Sequence, residues 1–231
     1  MHHPAPDAET IKLLESIVPH VVFDGWSEQA FRAACSDVDI PLEKARLLCP
    51  RGAVDLAVLF HREGDQRMVE MLDAADLMQM RFREKVAHAI RLRLQAAGDK
   101  EAVRRGTALF ALPHMAPEGS GLIWGTADAI WTALGDTSED ANWYTKRATL
   151  SAVYGSVVLF WLGDTSPDDM DTDAFIDRRI EDVMRFEKVK ATINDNPLLK
   201  PLTVPLGKLA TRIRAPRRAP DDLPGRWTEP R

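Results

Sequence analysis

Apolar residues in this chain recur at every third or fourth position through most of its length, and nowhere do they alternate with polar residues over a strand's span. Helical spacing gathers such residues into one stripe, whereas a strand needs alternation to make one apolar face. No Asn-Gly hairpin turn occurs either, so the chain is predicted to be all-α.

The first helix is expected from Ala8 to Val21, with Ile11, Leu14, Ile17, Val18 and Val21 on one side. Ser27 suits the N-cap of a short second helix ending near Ser36, and Pro41 opens a third. Helix, short helix, tight turn and short helix make the outline of a helix-turn-helix head over residues 1–50. Its charges argue against nucleic acid: Glu28, Asp37, Asp39 and Glu43 stand among Arg32, Lys44 and Arg46, and phosphate contact needs clustered cations.

A helical body follows over residues 51–191, with helices expected at 52–62, 65–76, 78–97, 100–112, 121–134, 139–162 and from Thr172 onward. Phe82, Val86, Ala89, Ile90 and Leu94 share one face of the 78–97 helix, opposite Arg81, Arg83, Lys85 and Arg91. In the last helix Phe175, Ile176, Ile180, Val183 and Met184 are expected to face inward. Two copies of Asp-Thr-Ser-x-Asp, DTSED at 136–140 and DTSPD at 164–168, offer hydroxyls and acids to cap the helices after them. From Asn194 onward prolines recur and exclude a continuous helix, leaving a short amphipathic one from Pro205 to about Arg214. Residues 192–231 are therefore read as a basic, proline-rich tail, partly disordered.

The formal net charge of −5 conceals an asymmetry, because residues 1–184 carry −11 and residues 185–231 carry +6. An acidic body with a basic tail is drawn to anionic surfaces, either nucleic acid or an anionic membrane leaflet. Cys35 and Cys49 lie in helical segments without a CxxC spacing and are read as reduced structural thiols. The N-terminal MHHPAPDAET has neither a secretory nor a transit layout, which points to a cytoplasmic protein. LSAVYGSVVLFWL, at 150–162, is too short to span a bilayer and reads as a helix buried on nearly every side.

Catalytic and metal-binding motifs are missing: the six histidines are scattered, and no HExxH, P-loop, GxGxxG or GxSxG is present. The chain is therefore read as a non-enzyme with no cofactor. What stands out instead is apolar surplus in the second half. Phe110, Leu112, Leu122, Trp124 and Trp131, with Val153, Val157, Phe160, Trp161 and Ile180, are enough to line a cavity for an apolar ligand. They are equally enough for plain core packing or a dimer interface.

The polar stretch DTSEDANWYTKR carries two adjacent aromatics. At 100° per residue, Asp140, Trp143, Tyr144, Arg147 and Ser151 fall within about 60° of one line, so they share a helix face. Trp, Tyr and Arg rimmed by polar groups is the composition of an interaction hot spot. The alternative folds both rings down over a helix junction, with Arg147 pairing Asp140.

The motifs GDTSEDANWYTKR, DTSPD and TDAFIDRRI, at this spacing, resemble the COQ-nine family, lipid-binding accessory proteins of ubiquinone (coenzyme Q) biosynthesis. FREKVAHAIRLRL and ALPHMAPEG also resemble family counterparts, and the similarity runs from roughly residue 50 to 190. The resemblance implies a TetR-like helical bundle, dimeric, whose head no longer reads DNA. It implies a pocket holding an isoprenoid, a quinone intermediate or another lipid, and a docking surface for the di-iron hydroxylase that acts on demethoxyubiquinone. By motif, Asp140, Trp143, Tyr144 and Arg147 fall on the family's partner-facing patch, with Asp128 beside it. Family members commonly end in a long amphipathic helix, and the proline-broken tail departs from that pattern. The expected protein takes up a prenylated precursor at the inner face of a membrane, as a peripheral homodimer, and presents it to the hydroxylase. A TetR-family transcriptional regulator with a hydrophobic ligand pocket is the rival reading.

Overall fold

The computed structural model describes residues 6–195, with side chains described through residue 185. Nine α-helices and one 3-10 turn make up these residues, without a strand, so the all-α expectation holds. The helices are α1 (Ala8–Asp24), α2 (Glu28–Asp37), α3 (Leu42–Leu48), α4 (Ala53–Asp73), α5 (Phe82–Ala96), α6 (Lys100–Phe110), α7 (Ala116–Ala133), α8 (Ala141–Gly163) and α9 (Met170–Asp195). The tail beyond residue 195, including the short helix expected from Pro205, lies outside the described residues.

Two apolar clusters organise the chain. Leu13, Ile17, Val21, Phe31 and Ala34 from α1 and α2 close over Leu56 and Ala57 from the start of α4, sealing the head. Leu72, Ile90, Ile130, Val157 and Ile176, contributed by α4, α5, α7, α8 and α9, form the core of the body. Each such side chain, removed fully from water, contributes about 1.5–3 kcal/mol before entropy is charged against it. α4 reaches both clusters and is the beam between them. Trp26 braces the joint, packing on Phe60 and donating its indole N–H to the Ala102 carbonyl.

Local signals place most boundaries. Asp7, Ser27, Asp99 and Asp140 each accept an amide hydrogen bond as N-cap of the helix that follows. Gly98, at φ +72, follows α5 where L-residues are disfavoured. Several boundaries differ from expectation, among them α7, which begins at Ala116 rather than Gly121. α1 runs on through Pro19 to Asp24. α4 is one helix rather than two, because Gly64 sits buried in its middle where the Arg93 guanidinium lies flat against it. α5 begins at Phe82, leaving Met78 and Met80 in the turn before it.

The inward face of α9 is narrower than its periodicity suggests. Ile176 is fully buried and Phe175, Ile180 and Val183 are half-buried, but Met184 is exposed. Both cysteines are buried free thiols, and burial pushes the Cys49 thiol up to about 11.

Buried charge in the body is consumed by its own partners. Arg93, 3% exposed, donates to the Asp65 carboxylate at 2.7 Å and to the His61 carbonyl at 3.0 Å. Thr126 joins Asp65 to the His61 ring, at 2.8 and 2.9 Å. Burial holds His61 neutral, its pKa lowered to about 4.

Candidate functional site

The site is built where α7 turns back into α8. The turn carries the first Asp-Thr-Ser-x-Asp copy, and its two acids have different tasks. Asp140 caps α8, its carboxylate accepting from the Asn142 amide at 2.9 Å and the Asn142 side chain at 3.1 Å. Asp136 points inward and accepts from Ser138, Lys146 and Arg147 at 2.8, 2.7 and 3.0 Å. Burial alone would raise its pKa, but those three donors outweigh it and hold the carboxyl at about 2.

Arg147 is the hub of this arrangement. Only 2% exposed, it reaches Asp128 on α7 at 2.5 Å through Nε and Asp136 through Nη1, and it also donates to the Trp143 carbonyl at 3.2 Å. The Trp143 ring lies over the guanidinium, 4.0 Å from ring centre to Cζ. Arg147 therefore belongs beneath the surface, not on the outward face its helical phase predicts, and its partners are Asp128 and Asp136 instead of Asp140. The side chain is long enough to turn under the ring, a freedom that a 100° wheel does not represent.

Above that ion triad the aromatics form a ledge. Trp124 on α7 meets Trp143 at 5.9 Å and Tyr144 at 6.4 Å between ring centres, and Trp143 and Tyr144 meet edge-on at 4.8 Å. Trp143 is half-buried and Tyr144 is 37% exposed. The rings are thus both folded over the helix junction and open at one side. Trp131, two turns along α7, donates to the Lys146 carbonyl at 3.2 Å and carries the Lys146 ammonium 5.1 Å from its ring centre.

The ten apolar residues read as possible cavity walls do not face one chamber. Val153, Val157 and Trp161 are buried in the body core, with Trp131 and Ile180 packed against it. Leu122 is buried too, while Phe110 packs on the head cluster and Leu112 is exposed. Trp124 belongs to the ledge, and Phe160 stacks on Phe175 at 4.3 Å along the outer side of α8 and α9. A separate concavity of about 500 Å³ lies between α4 and α5, lined by Arg67, Glu70, Met71, Ala74, Gln95, Ala96 and Gly98, none of them among the ten.

The second Asp-Thr-Ser-x-Asp copy builds the α8–α9 corner. Asp164 accepts from the Ser166 and Thr172 amides, both at 2.8 Å, and from the Thr172 hydroxyl at 2.5 Å, which holds its pKa well below the usual carboxylate range. Asp169 accepts from the Trp161 indole at 2.8 Å and from Lys100 at 3.0 Å. Asp136, Lys146, Asp164 and Lys100 carry these corners and were not singled out individually in the sequence. The duplicated motif was the signal for them: in each copy the first Asp accepts from the Ser two positions on.

The arrangement of helices is that of TetR-type regulators. A TetR transcriptional regulator from Nitrosomonas europaea superposes with a TM-score of 0.63 at 18% identity, over 76% of this chain and 97% of its own. Within that fold, residues 116–187, which hold α7, both Asp-Thr-Ser-x-Asp corners and the ledge, match the COQ9 family model. The probable ubiquinone biosynthesis protein coq9 of Dictyostelium discoideum is 32% identical over 194 residues, 80% of this chain and 62% of its own length. The human ubiquinone biosynthesis protein COQ9 is 28% identical over 193 residues, 78% of this chain and 60% of its own. Both relatives are described as mitochondrial, and the chain spans about three fifths of the length of each.

Proposed function

We infer that this protein is a lipid-binding accessory protein of ubiquinone biosynthesis, which takes up a prenylated quinone precursor at a membrane and presents it to a demethoxyubiquinone-type hydroxylase. The observation that carries the reading is the coincidence of the COQ9 match at 116–187 with the aromatic ledge of Trp124, Trp143 and Tyr144. A ledge of large rings packed over the buried Arg147–Asp136 ion pair would be ordered before a partner arrives, so docking would cost little side-chain entropy. The precursor would exchange bilayer contacts for apolar protein walls, offsetting the cost of leaving the membrane. Membrane attachment would be peripheral, because no helix among the described residues is long and apolar enough to cross a bilayer.

The rival reading, a DNA-binding regulator, is disfavoured by the head's ion pairs. Arg32 and Arg46 share Glu28, and Lys44 is held by Glu9, so each of these cations of α2 and α3 already has an acidic partner. Complementation tests the proposal. In cells lacking the gene, the wild-type chain restores ubiquinone, whereas the Trp124→Ala/Tyr144→Ala double variant is expected to accumulate demethoxyubiquinone and to lose the hydroxylase in pull-down. Full ubiquinone content and unchanged pull-down with that variant would remove the ledge from the function, and salt-dependent, sequence-specific DNA binding would favour the regulator.

A further inference from the structure

We propose that the turn between α4 and α5, tipped by Met78 and Phe82 and flanked by Arg81, Arg83 and Lys85, is a membrane contact that enters the surface of an anionic bilayer. Two properties coincide there. Met78 is 87% exposed and Phe82 51% exposed, although Phe82 has an aromatic neighbour in Trp131, stacked at 5.4 Å. Beside these apolar groups, Arg81 and Arg83 are exposed and Lys85 half-buried, and none of the three forms an ion pair with a described residue.

Neighbouring cations are paired instead. Arg91 and Arg93, further along α5, are bound to Asp173 and Asp177 and to Asp65, and Lys146 and Arg147 are spent on Asp136 and Asp128. In a chain carrying −11 over residues 1–184, three unpaired cations within five residues form a local concentration, whereas Arg62, Arg67 and Arg178, also without an ion pair to a described residue, are not flanked by exposed Met and Phe in this way. The acids of the turn face their own backbone: Asp76 accepts from the Met78 amide and Glu84 from the Arg81 amide, while Asp73 lies a turn back at the end of α4. Exposed Phe23 and Leu47 in the head lack this combination, since Lys44 and Arg46 beside Leu47 are already paired with Glu9 and Glu28.

An unbranched thioether and a phenyl ring on a tight turn, rimmed by cations, match the demands of a bilayer interface, with apolar tips among acyl chains and ammonium or guanidinium groups at the phosphates. The contact lies close to the ledge, because Phe82 stacks on Trp131 and Trp131 bonds to Lys146, one turn from Trp143 on α8. A membrane held at this point would lie beside the surface assigned to the hydroxylase. The inference rests on the reading of a peripheral membrane protein and names the place where contact is made.

Both native cysteines are buried, so a Met78→Cys variant of the full chain can be labelled selectively with an environment-sensitive fluorophore. With vesicles of phosphatidylglycerol and phosphatidylcholine in equal parts, the emission is expected to rise severalfold and shift to the blue. No change is expected with phosphatidylcholine alone, nor from a label at Glu43→Cys in the head. Arg81→Gln/Arg83→Gln/Lys85→Gln is expected to weaken vesicle binding by about fivefold per cation removed. Co-sedimentation with the vesicles while the label at 78 stays unchanged would overturn this site and leave the peripheral reading standing. Failure to bind anionic vesicles at all would overturn both, and a blue shift that follows protein concentration without vesicles would assign the turn to self-association.

Discussion

Arg147 and Asp136 are joined at 3.0 Å with only 2% and 4% of their side chains exposed, a fully internal ion pair directly beneath the aromatic ledge. Asp128, 38% exposed, completes the triad from the solvent side. Removing Arg147 takes from Asp136 its sealed partner and leaves Lys146 and Ser138 to hold the carboxylate, so the charge is not orphaned but the site beneath the ring is emptied. Arg147→Ala is therefore expected to destabilise the fold by less than the about 3–5 kcal/mol of a wholly unpaired buried charge, and Asp128→Asn by less again because water already reaches it. Chemical denaturation of the two variants checks the order; equal losses would mean that Asp136 is not sealed as described.

Asp136 also sets a pH dependence. Its folded pKa, about 2, lies below the unfolded carboxyl value, so its contribution is fully present above about pH 4 and is lost as pH falls toward 2. Thermal melts of wild type and Asp136→Asn should differ most at pH 5 and converge as pH approaches 2.

His61 acts in a second window. Its folded pKa is lowered to about 4 while the unfolded ring takes a proton near 6.5, so the unfolded state binds more protons between those values and stability falls as pH drops through them. His61→Gln should flatten the stability profile between pH 7 and 4 and leave the acid limb from Asp136 in place. Ring titration by NMR in the folded protein gives the direct check.

The α6–α7 corner offers a packing test. A Cβ built on Gly119 would stand 2.7 Å from the Cβ of Phe110 and 3.2 Å from its carbonyl oxygen, both fixed to backbone. Gly119→Ala is expected to cost about 1–3 kcal/mol, despite the better helix propensity of alanine, because neither helix can withdraw a side chain to make room. An unchanged denaturation midpoint would show that α6 and α7 slide apart freely.

How much of this was legible in the sequence depended on whether the controlling interaction was local. The caps at Ser27 and Asp140 and the stop near Gly98 came from short-range rules that the folded chain obeys. The unbroken α4 did not: the spacing predicts helices at 52–62 and 65–76, and Gly64, between them, packs inside one continuous helix against Arg93, which is remote in sequence. Helical phase put Trp143 and Tyr144 correctly side by side, yet missed that Arg147 turns inward to reach Asp128 and Asp136. The apolar surplus of α7 and α8 was visible, but residue type could not divide Val157 in the core from Trp124 on the ledge or Phe160 on the outer face. That division needs the third dimension, since each of those side chains is apolar and each sits at a helical spacing.

The account rests most heavily on the lipid. Native protein purified without detergent, extracted into organic solvent and analysed by mass spectrometry, is predicted to release an isoprenoid or a prenylated quinone precursor in near-stoichiometric amount. Recovery of no isoprenoid, quinone or phospholipid would contradict it.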